Sequence, residues 1–384
     1  MGRRSLHSEP GRVIDIACTN CGRAYPSTGL PYCCHNCGGL YDYINPLIFQ
    51  PKKLDRGKPG IWRYLHTFGL PHNHETVSLG EGNTSLIWAK VSNRNIAFKC
   101  EYLNPTGSFK DRGTAVIASW IKSRNIGEVL EDSSGNAGAS LAAYSARGGI
   151  KAWIYTPESA SGPKRRQIES YGAGLVPTPG PREETSKAAE LAAENGMTYA
   201  SHAFLPFNLP GYATTSYEIF EQLGKRIPGA VILPVGQGGL LLGMSRGFSA
   251  LRIAYKIPNN LPRFIGLQTR RCAPIWGRSK GIEAPPENID QKPSIAEGVQ
   301  VRHPLRKENV VQAVDMSGGS ICLVEEDEIL PGRDELAHLG FYVEPTSAIV
   351  WSALVKMLEQ LPDPIVVILT GSGMKYEPNK LQGI

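Results

Sequence analysis

The 384-residue chain contains no apolar stretch approaching the roughly 18 to 20 residues that a membrane-spanning helix requires. Gly2-Arg-Arg-Ser is followed by polar residues and not by the apolar centre of a secretory signal. These absences predict a cytoplasmic protein with no membrane partner. Charge of one sign is also scarce: 41 basic against 35 acidic side chains leave +6, spread along the chain. There is no basic stripe interleaved with aromatics, which argues against nucleic acid as a partner. The mild excess suits small anionic substrates. No H-E-x-x-H or other ligand spacing joins the eight histidines, no Ser-His-Asp order is identifiable, and neither a Walker loop nor a G-x-G-x-x-G fingerprint occurs. Metal-assisted hydrolysis, serine hydrolysis, ATP and NAD are thereby disfavoured.

Cysteine is present, but not as a disulfide framework. Five of the eight lie between positions 18 and 37, while Cys100, Cys272 and Cys322 are scattered in apolar surroundings and read as inert core thiols. Cys18-Thr-Asn-Cys21-Gly and Cys34-His-Asn-Cys37-Gly form two knuckles whose four thiolates suit tetrahedral zinc, with Cys33 and His35 near enough to replace a ligand. A ribbon over residues 1–45 cannot build a core unaided, so bound metal would supply much of its folding free energy in a structural role.

The length predicts two or three packed units, and 41% hydrophobic residues with 42 glycines fit a loop-rich α/β protein. After Pro46, short apolar runs alternate with helical ones, the pattern of βαβ units and a largely parallel sheet. Strands are predicted at 96–100, 151–156, 230–235, 264–268 and 365–369, and helices at 114–123 and 183–195. The acidic run Glu325 to Glu328 predicts a solvated first helical turn. The Pro-rich 284–293 segment predicts a surface loop.

In open α/β sheets ligands collect at the carboxyl ends of strands. Directly after the 230–235 strand, Gly236-Gln237-Gly238-Gly239-Leu240 opens onto an apolar helix, so backbone N–H groups can converge on one phosphate. Ser133, Ser134 and Asn136 stand before a small-residue helix, where they would either bind a substrate carboxylate or simply cap the helix. Thr370 follows the last buried strand and either caps it or offers one hydroxyl to a pocket. Lys110, in Asn104-Pro-Thr-Gly-Ser-Phe-Lys-Asp-Arg-Gly113, is the one amine placed to join these groups; alone, it and Asp111-Arg112 could be an ordinary charged helix start.

Together, these motifs resemble the fold-type II pyridoxal-phosphate enzymes. From Cys18 onward their order is most similar to the threonine synthase family: the ribbon, Ser78-Leu-Gly-Glu-Gly82, Ser108-Phe-Lys-Asp-Arg112, Ser133 to Asn136, Pro234 to Gly239, and Thr370-Gly-Ser-Gly-Met-Lys375. The resemblance implies a tryptophan synthase β-like, two-domain parallel-sheet fold, with a larger cofactor domain at 46–130 and 205–384, a smaller closing domain at 131–204, and a homodimer. It implies that Lys110 holds pyridoxal 5'-phosphate and moves protons. Asn136 would meet the cofactor's 3-oxygen, Gly236 to Leu240 its phosphate and Thr370 its pyridine nitrogen. Ser133 and Ser134 would take the substrate carboxylate.

The implied reaction is that of a carbon–oxygen lyase, O-phosphohomoserine plus water giving threonine and phosphate. It requires a second anion site. Here the sequence departs from the family, which commonly has arginine where Asn208 stands and asparagines where Gln237 and Leu240 stand. Lys164, Arg165, Arg270 and Arg271 are the expected compensation. The stretch from Ser294 to Gln300 is similar to that of serine and threonine dehydratases. The alternative is therefore a β-eliminating or β-replacing enzyme of the same fold, including a cysteate synthase-like one acting on O-phosphoserine.

Overall fold

The computed structural model describes residues 16–158, 162–258, 261–282 and 292–377; residues 284–291 of the predicted Pro-rich loop and the first 15 residues of the ribbon segment lie outside these. Twelve strands are described: β1 Ile16–Cys18, β2 Tyr41–Tyr43, β3 Leu86–Val91, β4 Arg94–Lys99, β5 Glu128–Glu131, β6 Lys151–Pro157, β7 Gly174–Thr178, β8 Thr198–Tyr199, β9 Ala230–Pro234, β10 Arg263–Thr269, β11 Ser320–Val324 and β12 Ile365–Ile368. A small antiparallel pair, β1 and β2, precedes two larger sheets. One has the order β11-β10-β9-β12-β4-β3, parallel except for the edge hairpin β3–β4; the other is parallel, in the order β7-β6-β5-β8. The core strands β9 and β12 are buried at every position, which explains their uninterrupted apolar sequences.

The topology places the expected groups together. Strands β4, β12 and β9 are parallel neighbours, and their carboxyl ends lead respectively into the Lys110 loop, Thr370 and the Gly236 turn. Helix α1 (Lys110–Ser123) begins four residues before the predicted 114, so Lys110 is its first residue. Helix α2 (Asn136–Gly148) follows β5, α3 is Pro163–Ser170, α4 is Arg182–Glu194, α5 is Asn208–Gln222 and α6 is Gly239–Tyr255. The acidic run does open a helix: Glu325 and Glu328 form a reciprocal capping box before Ile329–His338.

The pair after Lys110 is no solvated helix start, since Asp111 and Arg112 are both fully buried. Arg112 donates to Glu101 (Nε to Oε2, 2.6 Å) and to Glu218 (Nη2 to Oε2, 2.7 Å), and Lys99 Nζ also reaches Glu218 at 2.7 Å. Two cations thus face two carboxylates. Burial would raise the Glu218 carboxyl, but Arg112 and Lys99 outweigh it and hold it well below the usual carboxylate range. Asp111 accepts from the Thr106 amide and hydroxyl and from Ser140, tying the loop before Lys110 to α2.

The cysteine ribbon packs into the main core through Tyr25, whose ring meets Phe207 edge-on at 5.1 Å, and through Asp42, which takes a bidentate pair from Arg246 at 2.7 and 2.8 Å. The ligand atoms of Cys18, Cys21, Cys34 and Cys37 all lie within 4.8 Å of one another, with Cys18–Cys37 at 3.5 Å and Cys21–Cys34 at 3.7 Å. Thiolates around tetrahedral zinc stand about 3.8 Å apart, so the four fit the metal, and Cys34 rather than Cys33 joins the cluster.

Removing one partner from the buried charge network leaves the others uncompensated. Glu218→Ala is expected to cost about 3–5 kcal/mol, read as a lower denaturant midpoint; an unchanged midpoint would show that the network contributes nothing. Because the Glu218 carboxyl is depressed in the folded chain, its contribution is complete above the ordinary carboxylate range. It is lost only as pH falls through the lowered value, so wild type and variant should converge in strong acid.

Candidate active site

Lys110 sits where the loop after β4 turns into α1. The loop is sewn to the Thr370 turn: the Phe109 N–H donates to Thr370 O at 3.1 Å, and Ser108 bridges Gly371. The residue is half-buried, and burial of its amine is the main reason its pKa falls to about 8; Glu131 and Glu344 pull it up and Arg182 pushes it down. A buried amine near neutrality can be unprotonated and nucleophilic without a dedicated base.

Three buried polar atoms around it have no hydrogen-bond partner: Thr370 Oγ1, Asn136 Oδ1 and Ser108 Oγ. Buried hydroxyls and amides are rarely left so, and three together mark the outline of a polar ligand. Asn136 is held by donating from Nδ2 to Glu344 Oε1 at 2.8 Å, and Thr370 by donating its N–H to Ser347 Oγ at 2.8 Å. Ahead of α6, Gly238 has φ +84°, and a Cβ there would fall 2.2 Å from Val310 Cγ2, so only glycine makes this turn. The first N–H groups of α6 have no partner within the helix and face an anion naturally. Gln237 helps to fix the turn by accepting the Leu305 N–H at 3.3 Å, and Leu240 is buried. Tyr212 lies between the two elements, its ring 5.3 Å from that of Phe109, and at Gly113 a Cβ would come within 2.7 Å of it. The residues present fit pyridoxal phosphate: an amine, an amide, a hydroxyl and a phosphate cradle.

The substrate side differs from expectation. Ser133 is buried and accepts the Gly135 N–H at 3.3 Å, while α2 has no side-chain cap, so Ser134 and Asn136 are not spent on capping. Asn208 is buried and its amide donates to His202 O at 2.5 Å, a backbone-bracing role. Lys164 pairs with Glu344 at 3.0 Å and Glu297 at 3.7 Å; burial would depress its amine, but the two carboxylates outweigh that and raise it. Through Glu344, Lys164 and Asn136 belong to one cluster. Arg270 and Arg271 do not join it. The first is more than half exposed and paired with Glu325 at 2.5 Å; the second donates to Pro293 O and lies 3.7 Å from Glu326. The strand that follows in the sheet, β11, delivers these carboxylates to the same edge and captures both guanidinium groups.

Sequence reasoning missed a cluster on the other side of Lys110. Glu131 ends β5 and Asp132 follows it, both buried, and β8 runs parallel beside the strand with Leu130 opposite Tyr199. That register brings His202 to Glu131: the backbone N–H donates to Oε2 at 3.1 Å and ring Nδ1 meets Oε1 at 3.0 Å. Asp132 accepts from Ser186 Oγ at 2.6 Å, with Arg182 Nη2 at 3.5 Å. Burial raises both acids, and burial together with Lys110 pushes the His202 imidazole well below its ordinary value. The only signal in the sequence was two acids closing an apolar strand just before Ser133.

With the amine near 8, covalent capture of added pyridoxal phosphate by stripped protein should accelerate about tenfold per pH unit below that value and level off above it. The checking measurement is the growth of the bound cofactor's visible band; acceleration continuing to pH 10 would show an unperturbed lysine. Lys110→Ala should keep the fold and lose the borohydride-fixable band.

Residues 77–371 match the model of a family described as "Pyridoxal-phosphate dependent enzyme". The chain is 34% identical to the threonine synthase of Methanocaldococcus jannaschii over 380 residues, covering 93% of this chain and 92% of the relative. It is 30% identical to that of Methanosarcina acetivorans over 379 residues, covering 94% and 92%. Among solved structures, the threonine deaminase of T.th. superimposes with a TM-score of 0.63 at 26% identity, covering 77% of this chain and 94% of that one. O-ureido-L-serine synthase shares the fold, with a TM-score of 0.62 at 21% identity over 76% and 90%. With a family match over most of its length and a site whose unpaired groups fit the cofactor, the chain belongs to the pyridoxal-phosphate-dependent enzyme family.

Proposed function

We propose that this lyase converts O-phosphohomoserine and water to threonine and phosphate. The observation that carries the reading is identity of 30% or more, over more than nine-tenths of both chains, to two threonine synthases. Pyridoxal phosphate, when bound, supplies the electron sink that lets protons leave the α and β carbons. The chain's own groups do the rest. Lys110 takes and returns protons, Asn136 and Thr370 orient the ring, and Gly236 to Leu240 hold its phosphate. Ser133 and Ser134 receive the substrate carboxylate. Residues 131–204 form the smaller unit, which closes over the substrate and excludes water.

For the substrate phosphate, Lys164 and Arg182 are the cations this reading uses, since Asn208 is engaged with backbone and Arg270 and Arg271 with Glu325 and Glu326. Arg182 opens α4, is 43% exposed and holds Asp132 only at 3.5 Å, so its guanidinium can turn to an arriving anion. A homodimer belongs to the same reading, with edge strand β3 offering the exposed Ile87 and Trp88 as the face to be covered.

A second reading has one observation in its favour: the buried acids Glu131 and Asp132 beside the substrate side of Lys110 are poor company for a phosphate dianion. They favour elimination from an unphosphorylated hydroxy amino acid. The deciding assay gives cofactor-loaded protein O-phosphohomoserine, O-phosphoserine, serine and threonine in parallel. Threonine with stoichiometric phosphate from the first is expected; ammonia and oxo acid from the unphosphorylated pair alone would replace the reading. Arg182→Met should weaken phosphorylated substrates by about 2 kcal/mol in kcat/KM and leave serine turnover unchanged.

A further inference from the structure

Glu131 and His202 form an oriented acid–imidazole pair that the reaction as described does not use. Glu131 spends one oxygen on the His202 backbone N–H and the other on ring Nδ1, so the ring is fixed from two sides. Among the described residues nothing hydrogen-bonds Nε2, and the side chain keeps 14% of its surface exposed. The charged groups around the ring are Lys110, Arg182, Asp132 and Glu131. Burial first, then Lys110 and Arg182, disfavour a positive charge on the ring, so in this reading the imidazole is neutral, Nδ1–H donates to Glu131, and Nε2 keeps a lone pair. A neutral ring of this tautomer is a base.

The reaction needs one. After the γ substituent has left and Lys110 has returned a proton to the γ carbon, leaving the double bond between the α and β carbons, water adds to the β carbon, and its proton needs an acceptor other than Lys110, which is then engaged at the α carbon. Ser133, Ser134 and Asn208 are not bases, and Asp132 already accepts from Ser186. We propose that His202, oriented by Glu131, takes the proton from the water that adds at the β carbon. One water O–H bond breaks, its oxygen forms the new C–O bond, and the proton passes to Nε2. The electron pair displaced from the β carbon moves into the conjugated system of the bound substrate and is protonated at the α carbon to complete threonine. His202 is then the catalytic residue of hydration and Glu131 its positioning residue. The assignment rests on the threonine synthase reading.

Vinylglycine separates the two, because it enters after the leaving-group step and differs from threonine by one water. Cofactor-loaded wild type should convert it to threonine. His202→Gln should consume it within about threefold of wild type while threonine falls at least about 100-fold, the product becoming 2-oxobutyrate and ammonia. Glu131→Gln, which can offer an amide N–H to Nδ1 and turn the ring to the wrong tautomer, should shift the product in the same direction. Nitrogen NMR of labelled holoenzyme should show His202 protonated at Nδ1 and bare at Nε2 at neutral pH. The threonine fraction should hold flat through neutral pH and fall only below the ordinary imidazole range. An unchanged product ratio in His202→Gln, or an Nε2–H ring, would overturn the proposal, as would a wild type that yields only 2-oxobutyrate. Threonine from vinylglycine with no phosphate released from O-phosphohomoserine would instead sink the substrate reading and leave His202 in its role.

Discussion

The geometry of the site depends on a neutral set of four buried charges. Arg112 stands two residues after Lys110 on α1, and its guanidinium is gripped by Glu101 on the β4 side and Glu218 on α5, which Lys99 shares. Four charges away from water would be costly if they did not cancel, and here each carboxylate is met by donors at 2.6 to 2.7 Å. The consequence is directional. The first turn of α1 cannot rotate or slide without breaking bonds to two other elements. Asp111 adds a third tie, to Thr106 and Ser140. An amine that must stay in register with an amide, a hydroxyl and a phosphate cradle on other elements needs that fixity.

The parts of the site legible in sequence are those whose signal is local. A buried strand followed by glycines and an apolar helix identifies β9 and the Gly236 turn wherever it occurs, because only glycine tolerates φ +84° at Gly238 with Val310 so near. Lys110 and Thr370 are legible for the same reason, each lying at a strand end or loop beside a short pattern. Arg112 was open to misreading as a surface cation, since a partner 106 residues away decides its burial. Glu131 and His202 are 71 residues apart and meet through β8, two residues long and without periodicity. Arg270 and Arg271 show the converse: their strand end is where sequence puts it, but the side chains answer to the carboxylates after β11.

The ribbon shows the same dependence of a local motif on a distant surface. Its cysteines are spaced to hold a metal without help from the body, yet its aromatic residues belong to the main core. Asp42 is taken by Arg246 and by Arg306, which also donates to the Tyr41 and Phe204 carbonyls. Phe204 lies in the stretch from Ser201 to Asn208 that carries His202. Leu305, next to Arg306, donates to Gln237 of the glycine turn that opens α6. Whatever fixes β2 therefore braces two sides of the pocket at once, and a metal held by the four cysteines would contribute to order at the site without approaching it.

Charge balance around Lys110 sets limits on what the pocket can accept. On one side Glu344 is matched by Lys164; on the other, Glu131 and Asp132 face Arg182, with the His202 ring on Glu131. Two adjacent buried acids, both raised, hold a proton between them more readily than two negative charges. With one proton shared in this way, the pair would carry one negative charge against one guanidinium. An arriving dianion can draw Arg182 away only if Asp132 keeps its proton, so the acid pair that looks hostile to phosphate becomes compatible with it in one protonation state. The same state leaves the charge on Glu131, where the imidazole needs it. In the proposed reaction, substrate binding at Arg182 and orientation of His202 thus call for the same proton on Asp132, and two demands of opposite sign are met by one electrostatic arrangement.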